Sequence, residues 1–494
     1  MSIWRVKPVS AFEAEMKKSD LKRVLTKWGL TSLGIGAIIG GGIFTLTGIA
    51  AHDYAGPALA LAFVIAGIGC LFASLCYAEF ASVLPVEGSA YAYAYGTVGE
   101  LFAWFIGWNL ILEYMMGATT VAVAWSGYFV KFLHLCHIDF PIWLCNDLAT
   151  ATEKCLASGI AAPSFAFNLP AFLITWVVTG ILVKGIKEAA STNNVIVIIK
   201  IAVVLFVIIV GAFYINTDNW TPFIPEKVPI IGEDGIATGG FKFGFGGVLT
   251  AATIVFFAYI GFDAVSTQAG EAINPKKDVP FAIVASLIIC TVLYILVSLV
   301  LTGMVKYDQL DKAAPVASAF SGIGINWAVF IITIAATAGL TSVMLVMMLG
   351  QTRIFLGMAK DGLMPAFFKA LHPKFKTPYK STFLVGGLIS LIAAFTPIEK
   401  VSEMCSMGTL LAFAMVCVAV MILRYKKPEL ERPYRTPAVY LVGCLGVGFN
   451  LFLMTQVRAS TWKFFLIWGV IGVIVYFIYG KRNSNLEKQE KGIE

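Results

Sequence analysis

The residues best suited to chemistry are few, and they lie inside apolar runs. Gly34-Ile35-Gly36-Ala37-Ile38-Ile39-Gly40-Gly41-Gly42-Ile43-Phe44 places five glycines within nine residues. In a helix interior each glycine costs about 1 kcal/mol relative to Ala. Gly40-Gly41-Gly42 therefore predicts a helix break that offers backbone amides to a ligand without Cβ obstruction. Lys200 stands in Val197-Ile198-Ile199-Lys200-Ile201-Ala202-Val203, Glu113 in Leu112-Glu113-Tyr114-Met115, and Asp263 just after Ile260-Gly261-Phe262. An ionisable group in such a run is a functional-site hypothesis. Lys200 is suited to loading and releasing a proton, or else to snorkelling toward the interface. Glu113 suits a substrate contact or a helix bridge. Asp263 suits capping or orienting the segment after the second break. Glu79, in Tyr77-Ala78-Glu79-Phe80, reads as a side chain that holds a helix junction together.

Enzymatic constellations are missing. Gly34-x-Gly36-x-x-x-Gly40 with Asp53 mimics a dinucleotide fingerprint, but that motif needs a preceding strand and a soluble βαβ unit. Here Arg23 to Trp28 precede it, and the motif itself is apolar. There is no His-Glu-x-x-His and no phosphate-binding loop with Lys; His52, His134, His137 and His372 are placed in loops. Cys136, Cys145 and Cys155, with His134 and His137 nearby, match no zinc spacing. No metal and no cofactor is expected, with a proton as coupling ion. A Cys145–Cys155 disulfide is open to the chain if that loop is extracytoplasmic.

The elements that must position these residues follow from composition. Of 494 residues, 59% are hydrophobic and 13% charged, with mean hydropathy +0.83. Soluble chains carry about 25% charged residues, so this is an all-α polytopic membrane protein. Its net charge of +7 sits in loops between apolar runs, which argues against nucleic acid as a partner. A span needs about 20 apolar residues. Twelve runs qualify, at roughly 29–51, 57–82, 99–130, 169–188, 193–215, 246–270, 279–305, 325–352, 381–397, 402–424, 438–457 and 461–480. The compartment holding both termini carries 26 Lys and Arg, and the opposite one carries nine. The positive-inside rule then makes both termini cytoplasmic, in a cell membrane. Residues 1–28 form a cytoplasmic arm without the apolar core of a signal peptide. The arm suits an interfacial helix or a solvated tail. Residues 481–494 form a cytoplasmic tail, and a small membrane-protein partner is left open.

The sixth run contains a second interruption, Phe256-Phe257-Ala258-Tyr259-Ile260-Gly261-Phe262-Asp263. Breaks in runs one and six suggest inverted repeats, 29–215 and 246–424, with 438–480 as two extra helices. Interrupted helices at corresponding positions point to a midplane binding site. Half-helix N-termini favour anions, and C-termini favour cations. Ile38, Ile39, Gly40, Gly41 and Gly42 would face a carboxylate. Phe257, Ala258, Tyr259 and Ile260 would face an ammonium. An α-amino acid fits both.

The first glycine-rich run resembles the first-helix signature of amino acid–polyamine–organocation transporters, as does Pro85-Val86-Glu87-Gly88-Ser89-Ala90-Tyr91-Ala92-Tyr93. The second break, followed by Asn274-Pro275-Lys276-Lys277-Asp278-Val279-Pro280, is similar to the cationic amino acid transporter subfamily. Gly350-Gln351-Thr352-Arg353 and Asp361-Gly362-Leu363-Met364-Pro365 continue the likeness, which spans nearly the whole chain. The resemblance implies a LeuT-type fold of five plus five inverted helices, with helices 1 and 6 broken, plus two more. It implies that Lys200 matches a lysine standing where sodium-coupled relatives hold an ion. It also implies that Glu113 lies near the substrate pocket, where a carboxylate favours a cationic side chain. Met347, in the stripe Met344, Met347 and Met348, would limit substrate size. One departure concerns Gly41, where relatives commonly carry Ser or Thr. The expected activity is proton-coupled uptake of a cationic or small neutral L-amino acid by alternating access. Exchange is the alternative, and a channel or membrane-embedded enzyme is a more distant one.

Overall fold

The structure, a computed structural model, describes residues 5–8, 25–84, 89–184, 189–231, 237–375 and 377–490. The N-terminal arm, read as an interfacial helix or a solvated tail, falls mostly outside the described residues, and so does Pro85–Gly88 of the second motif.

Apolar runs fold as helices because lipid leaves no partner for free N–H and C=O groups. In chain order they are α1 (Lys27–Ile38), α2 (Leu59–Val83), α3 (Glu100–Leu135), α4 (Leu169–Lys184), α5 (Ala189–Ala212) and α6 (Gly244–Phe256). They continue as α7 (Pro275–Met304), α8 (Asn326–Lys360), α9 (Tyr379–Phe395), α10 (Ile398–Lys426), α11 (Val439–Thr455) and α12 (Ala459–Val475). Among the described residues, seven helical stretches are long and apolar enough to cross a membrane, with four shorter apolar helices beside them. The first stretch, Lys27–Val83, takes in two of the predicted runs. Thr119, Thr120, Thr175, Thr179 and Thr333 donate their hydroxyls back to carbonyls four residues earlier, so these buried groups need no water.

The helices pack in a pattern that repeats after five. α1 lies on α7 and α6 on α2; α2 itself lies on α7; α3 packs on α8 and α4 on α9. Replacing each helix by the one five places away exchanges the first two contacts and leaves the last three unchanged. α12 is fastened to α3 by paired indoles. Trp108 Nε1 donates to the Trp468 carbonyl (2.9 Å), and Trp468 Nε1 donates to the Trp108 carbonyl (3.2 Å). The predicted loop at 216–245 contains a short antiparallel hairpin, β1 (Val228–Ile231) and β2 (Ala237–Lys242), which hydropathy did not foretell.

At the end of the molecule holding both termini, buried Arg5 pairs with Glu487 (3.2 Å) and Glu490 (2.7 Å) of the tail, and Lys7 pairs with Asp361 (3.0 Å). The same end carries Glu79, whose carboxylate is held by Arg424 (2.6 Å), Arg432 (3.2 Å) and the Thr436 amide (2.9 Å). Glu79 thus ties α2 to the end of α10 and the segment that follows. A buried carboxylate is tolerable only when paired and hydrogen-bonded in this way.

Candidate functional site

The first break lies where the glycines cluster. α1 stops at Ile38, and Ile39 is extended with ψ 102°, although its amide still reaches the Ile35 carbonyl (2.9 Å). A wide π-type turn starts at Gly42 and runs to Leu46. Among the described residues, the amides of Gly40, Gly41 and Gly42 have no acceptor. All three residues are buried. Buried amides without partners are rare and call for a ligand or another explanation.

The second break follows α6. Phe257–Tyr259 form a 3₁₀ turn, Ile260 is extended with ψ 132°, and Gly261 has φ +122°. Beyond it the chain is 3₁₀ over Asp263–Glu271, where an α-helical half was expected. Local side-chain bonds accompany the difference. Asp263 Oδ1 accepts from the Gly261 amide (3.3 Å), and the Ser266 hydroxyl donates to the Asp263 carbonyl (2.6 Å). Such bonds offer the backbone an alternative to the α ladder.

The two breaks touch each other. A Cβ on Gly42 would overlap the Cα of Ala258, and one on Gly261 would come within 2.9 Å of the Ala37 backbone. Gly42 is thus required for close approach, whereas a Cβ on Gly41 would find only ordinary contacts, the nearest being Ala124 Cβ at 3.4 Å. Tyr294 of α7 joins the two. Its hydroxyl is 2.9 Å from the Ile38 carbonyl and 2.9 Å from the Ala258 carbonyl. Sequence reasoning missed Tyr294. The available signal was a tyrosine deep in an apolar run, since a buried phenol needs a partner. Lys200, 1% exposed, donates from Nζ to the Gly36 carbonyl (2.8 Å), one turn before the first break. Its alkyl chain lies along Gly339 of α8. Lys200 does not snorkel to an interface; it braces α1.

The family model for amino acid permeases matches residues 25–477. The branched-chain amino acid permease BcaP of Bacillus subtilis (strain 168) is 44% identical over 490 residues, covering 99% of each chain. The methylthioribose transporter of the same organism is 42% identical over 487 residues, covering 99% of this chain and 100% of its own. The vacuolar cationic amino acid transporter 4 of Arabidopsis thaliana is 37% identical over 410 residues, covering 83% of this chain and 64% of its own. The chain belongs to the amino acid permease family. It is a transporter of the amino acid–polyamine–organocation superfamily, not an enzyme, and it carries an amino acid or a related metabolite.

The other expected site residues of this permease fall into two groups. Glu113 is 1% exposed, and neither carboxylate oxygen has a hydrogen-bond partner among the described residues. The Thr409 hydroxyl beside it is given to the Cys405 carbonyl (3.0 Å), and the Cys405 thiol to the Glu113 carbonyl (3.1 Å). Asp263 lies nearby and accepts from the Tyr114 hydroxyl (3.3 Å). Met347 is buried, and its sulfur would lie 3.5 Å from a Cβ on Gly117 of α3. Tyr259 behaves differently from its neighbours. Its hydroxyl reaches the Phe63 carbonyl of α2 (2.8 Å), so the phenol is engaged with α2.

On the side of the breaks away from the termini, the permease carries two layers of contacts. The Tyr128 hydroxyl of α3 donates to the Phe44 carbonyl (2.6 Å), with the two rings edge to face. Farther along, Asp53 accepts from Lys242 (3.0 Å) and Lys312 (3.0 Å), and Lys312 also reaches Glu153 (3.0 Å). This network joins the end of the first helical passage to the hairpin, to the loop that carries Lys312 and to the short helix Leu148–Ala157 that carries Glu153. The Lys312 amine is held above its ordinary value of 10.5, because the attraction of Asp53 and Glu153 outweighs the opposing effect of burial. Cys145 and Cys155 are both free thiols, and no group of three metal-ligating side chains occurs among the described residues.

Proposed function

We propose that this permease takes up an L-amino acid with a small or branched neutral side chain, by proton-coupled alternating access across the cell membrane. Both termini are cytoplasmic in this reading. The observation that carries it is the pair of breaks. Unpaired amides at Gly40–Gly42 suit a carboxylate, while the ends of α1 and α6 present carbonyls that suit an ammonium. The twelve helices form two inverted repeats of five with two additional helices, and the packing that survives a shift by five supports this. The buried Met347 and the likeness to the branched-chain amino acid permease BcaP support a neutral side chain of limited size.

Lys200 is the coupling group in this mechanism. A protonated amine makes a charge-assisted bond to the Gly36 carbonyl, stronger than a neutral one would be. Proton loss weakens the brace on α1 and lets its cytoplasmic half swing. Substrate bound across both breaks and a proton on Lys200 therefore favour the same closed arrangement, which couples them.

A second reading has one specific observation behind it, the likeness to a methylthioribose transporter over the whole chain. That uncharged sugar has neither carboxylate nor ammonium, so it would leave the helix ends without ionic partners. The deciding measurement is uptake into proteoliposomes under an imposed pH gradient, with labelled alanine, isoleucine, arginine and methylthioribose. Acid-driven isoleucine or alanine uptake is the expected result. Transport of the thiosugar alone, or amino acid counterflow indifferent to the gradient, would sink the proposal.

A further inference from the structure

Basic groups on the side of the termini are unevenly matched by acids. Between residues 362 and 398 the chain has no Asp or Glu, and α4 has none either. This stretch joins α8 to α9 and continues through α9, which packs on α4. Lys184, Lys369, Lys374 and Lys380 are exposed, and none of their ammonium groups has an ion-pair or hydrogen-bond partner among the described residues. At the same end Arg424 and Arg432 are held by Glu79, Arg5 by Glu487 and Lys7 by Asp361.

The unmatched lysines stand beside apolar side chains that also lack cover. Phe367, Leu371 and Phe375 are exposed although they lie outside the long helices. Lys380 Nζ is 5.7 Å from the centre of the Phe367 ring, and Lys374 Nζ is 5.6 Å from that of Phe375. His372 fixes the turn between them, since its Nδ1 accepts from the Lys374 and Phe375 amides (3.2 Å each). The Thr377 hydroxyl donates to the Val183 carbonyl (2.7 Å), which ties this turn to the end of α4. α4 has 16 residues and α9 has 17, about 24 and 26 Å at 1.5 Å per residue. The hydrocarbon core of a bilayer is about 30 Å thick, so the joined ends of two such short spans lie at its edge. Val177 and Ile181 of α4 and Phe383 and Leu384 of α9 are exposed, so an apolar outer face leads to the lysines.

We propose that this face is a docking site for the headgroup of an anionic phospholipid. Lys374 and Lys380 hold the phosphate, and Lys184 and Lys369 add to the field around it. The exposed rings of Phe367 and Phe375 enter the boundary between headgroups and acyl chains. Two features together select the occupant. Ammonium groups without a nearby acid call for an anion. The bare rings, continuous with the apolar outer faces of α4 and α9, call for an anion that carries acyl chains. α9 also packs on α3 and α8, which carry Glu113 and Met347, so a bound lipid steadies the helices behind the site at the breaks. The docking site needs neither the substrate nor the coupling ion proposed above.

The test is native mass spectrometry of the full chain in detergent, with phosphatidylglycerol or phosphatidylcholine of the same acyl chains added. Wild type should bind the first phosphatidylglycerol at least tenfold more tightly than the first phosphatidylcholine. Each Lys near an anionic lipid surface contributes about fivefold. Lys374→Gln combined with Lys380→Gln should therefore weaken phosphatidylglycerol binding about 25-fold and leave phosphatidylcholine unchanged, while Lys374→Arg with Lys380→Arg stays near wild type. Lys426→Gln with Lys427→Gln is the control, because that pair lies at the same end but close to Glu429 and Glu431 in the chain. It should change binding less than twofold. A loss under threefold in the Lys374 and Lys380 double variant overturns the proposal, as does an equal loss in the control or equal binding of the two lipids by wild type. Displacement of the lipid by millimolar glycerol 3-phosphate also overturns it, since the lysines would then serve a soluble phosphate.

Discussion

The tyrosine that joins the two breaks gives the most direct test of the geometry. Tyr294 is fully buried, and its hydroxyl is 2.9 Å from the carbonyls of Ile38 and Ala258. Neither carbonyl has another partner among the described residues, because each lies where its helix has stopped. Tyr294→Phe keeps the ring and removes only the oxygen. The loss includes one net hydrogen bond, about 1 kcal/mol, and at least one stranded carbonyl, about 1–3 kcal/mol. A total of about 2–4 kcal/mol corresponds to a shift of about 30- to 800-fold in the population that keeps the breaks together. If substrate binds only that population, KM should rise by up to this factor, with a lowered thermal midpoint in detergent. Saturation curves for isoleucine uptake into proteoliposomes, with scanning fluorimetry on the same preparation, read both effects. Tyr259→Phe is the control, since its hydroxyl reaches the Phe63 carbonyl inside α2, away from the break. A Tyr294→Phe protein with wild-type KM and midpoint, or one no worse than Tyr259→Phe, would refute the coupling of the breaks.

Four further outcomes are expected. Gly42→Ala should abolish uptake and lower folded yield, because its Cβ meets backbone at Ala258, whereas Gly41→Ser should fold and transport; equal behaviour of the pair in gel filtration and uptake would contradict the packing. Lys200→Gln keeps a donor for Gly36 but holds no titratable proton, so counterflow should persist while the pH gradient stops driving uptake; full gradient-driven uptake would remove Lys200 from the coupling step. Met347→Ser should extend the competition panel toward longer side chains, and an unchanged ranking from alanine to arginine would count against Met347 as a pocket wall. The Lys312 amine is raised, so its contribution to the folded state is complete below the ordinary lysine value and fades only as pH rises past the elevated one. The stability difference between wild type and Lys312→Gln should therefore stay flat from pH 6 to pH 9; a difference that vanishes within this window would exclude the ion network as its source.

Much of this architecture was legible in the chain. Hydropathy alone located the helices, because lipid imposes one solution on any long apolar run. The breaks were legible for the converse reason. Three consecutive glycines in such a run make no sense as plain helix, and α1 does stop there. Glu79, Glu113, Lys200 and Asp263 were visible as ionisable residues against an apolar background, and all four are buried. The resemblance to a transporter family was carried by short motifs, and the match over residues 25–477 agrees with it.

The partners were not legible. Nothing in the spacing of Tyr294 indicates that its hydroxyl lies between Ile38 and Ala258, which are 256 and 36 residues away. Nothing in Gly42 distinguishes it from Gly41, yet only Gly42 is pressed against another backbone. The 3₁₀ form of Asp263–Glu271, the hairpin at 228–242 and the ion network at Asp53 likewise depend on local bonds and distant segments. The physical division is plain. Helix formation and helix interruption are decided by groups within a few residues of each other and by the solvent around them. Which break meets which, and which buried amine braces which carbonyl, is decided by packing among segments hundreds of residues apart.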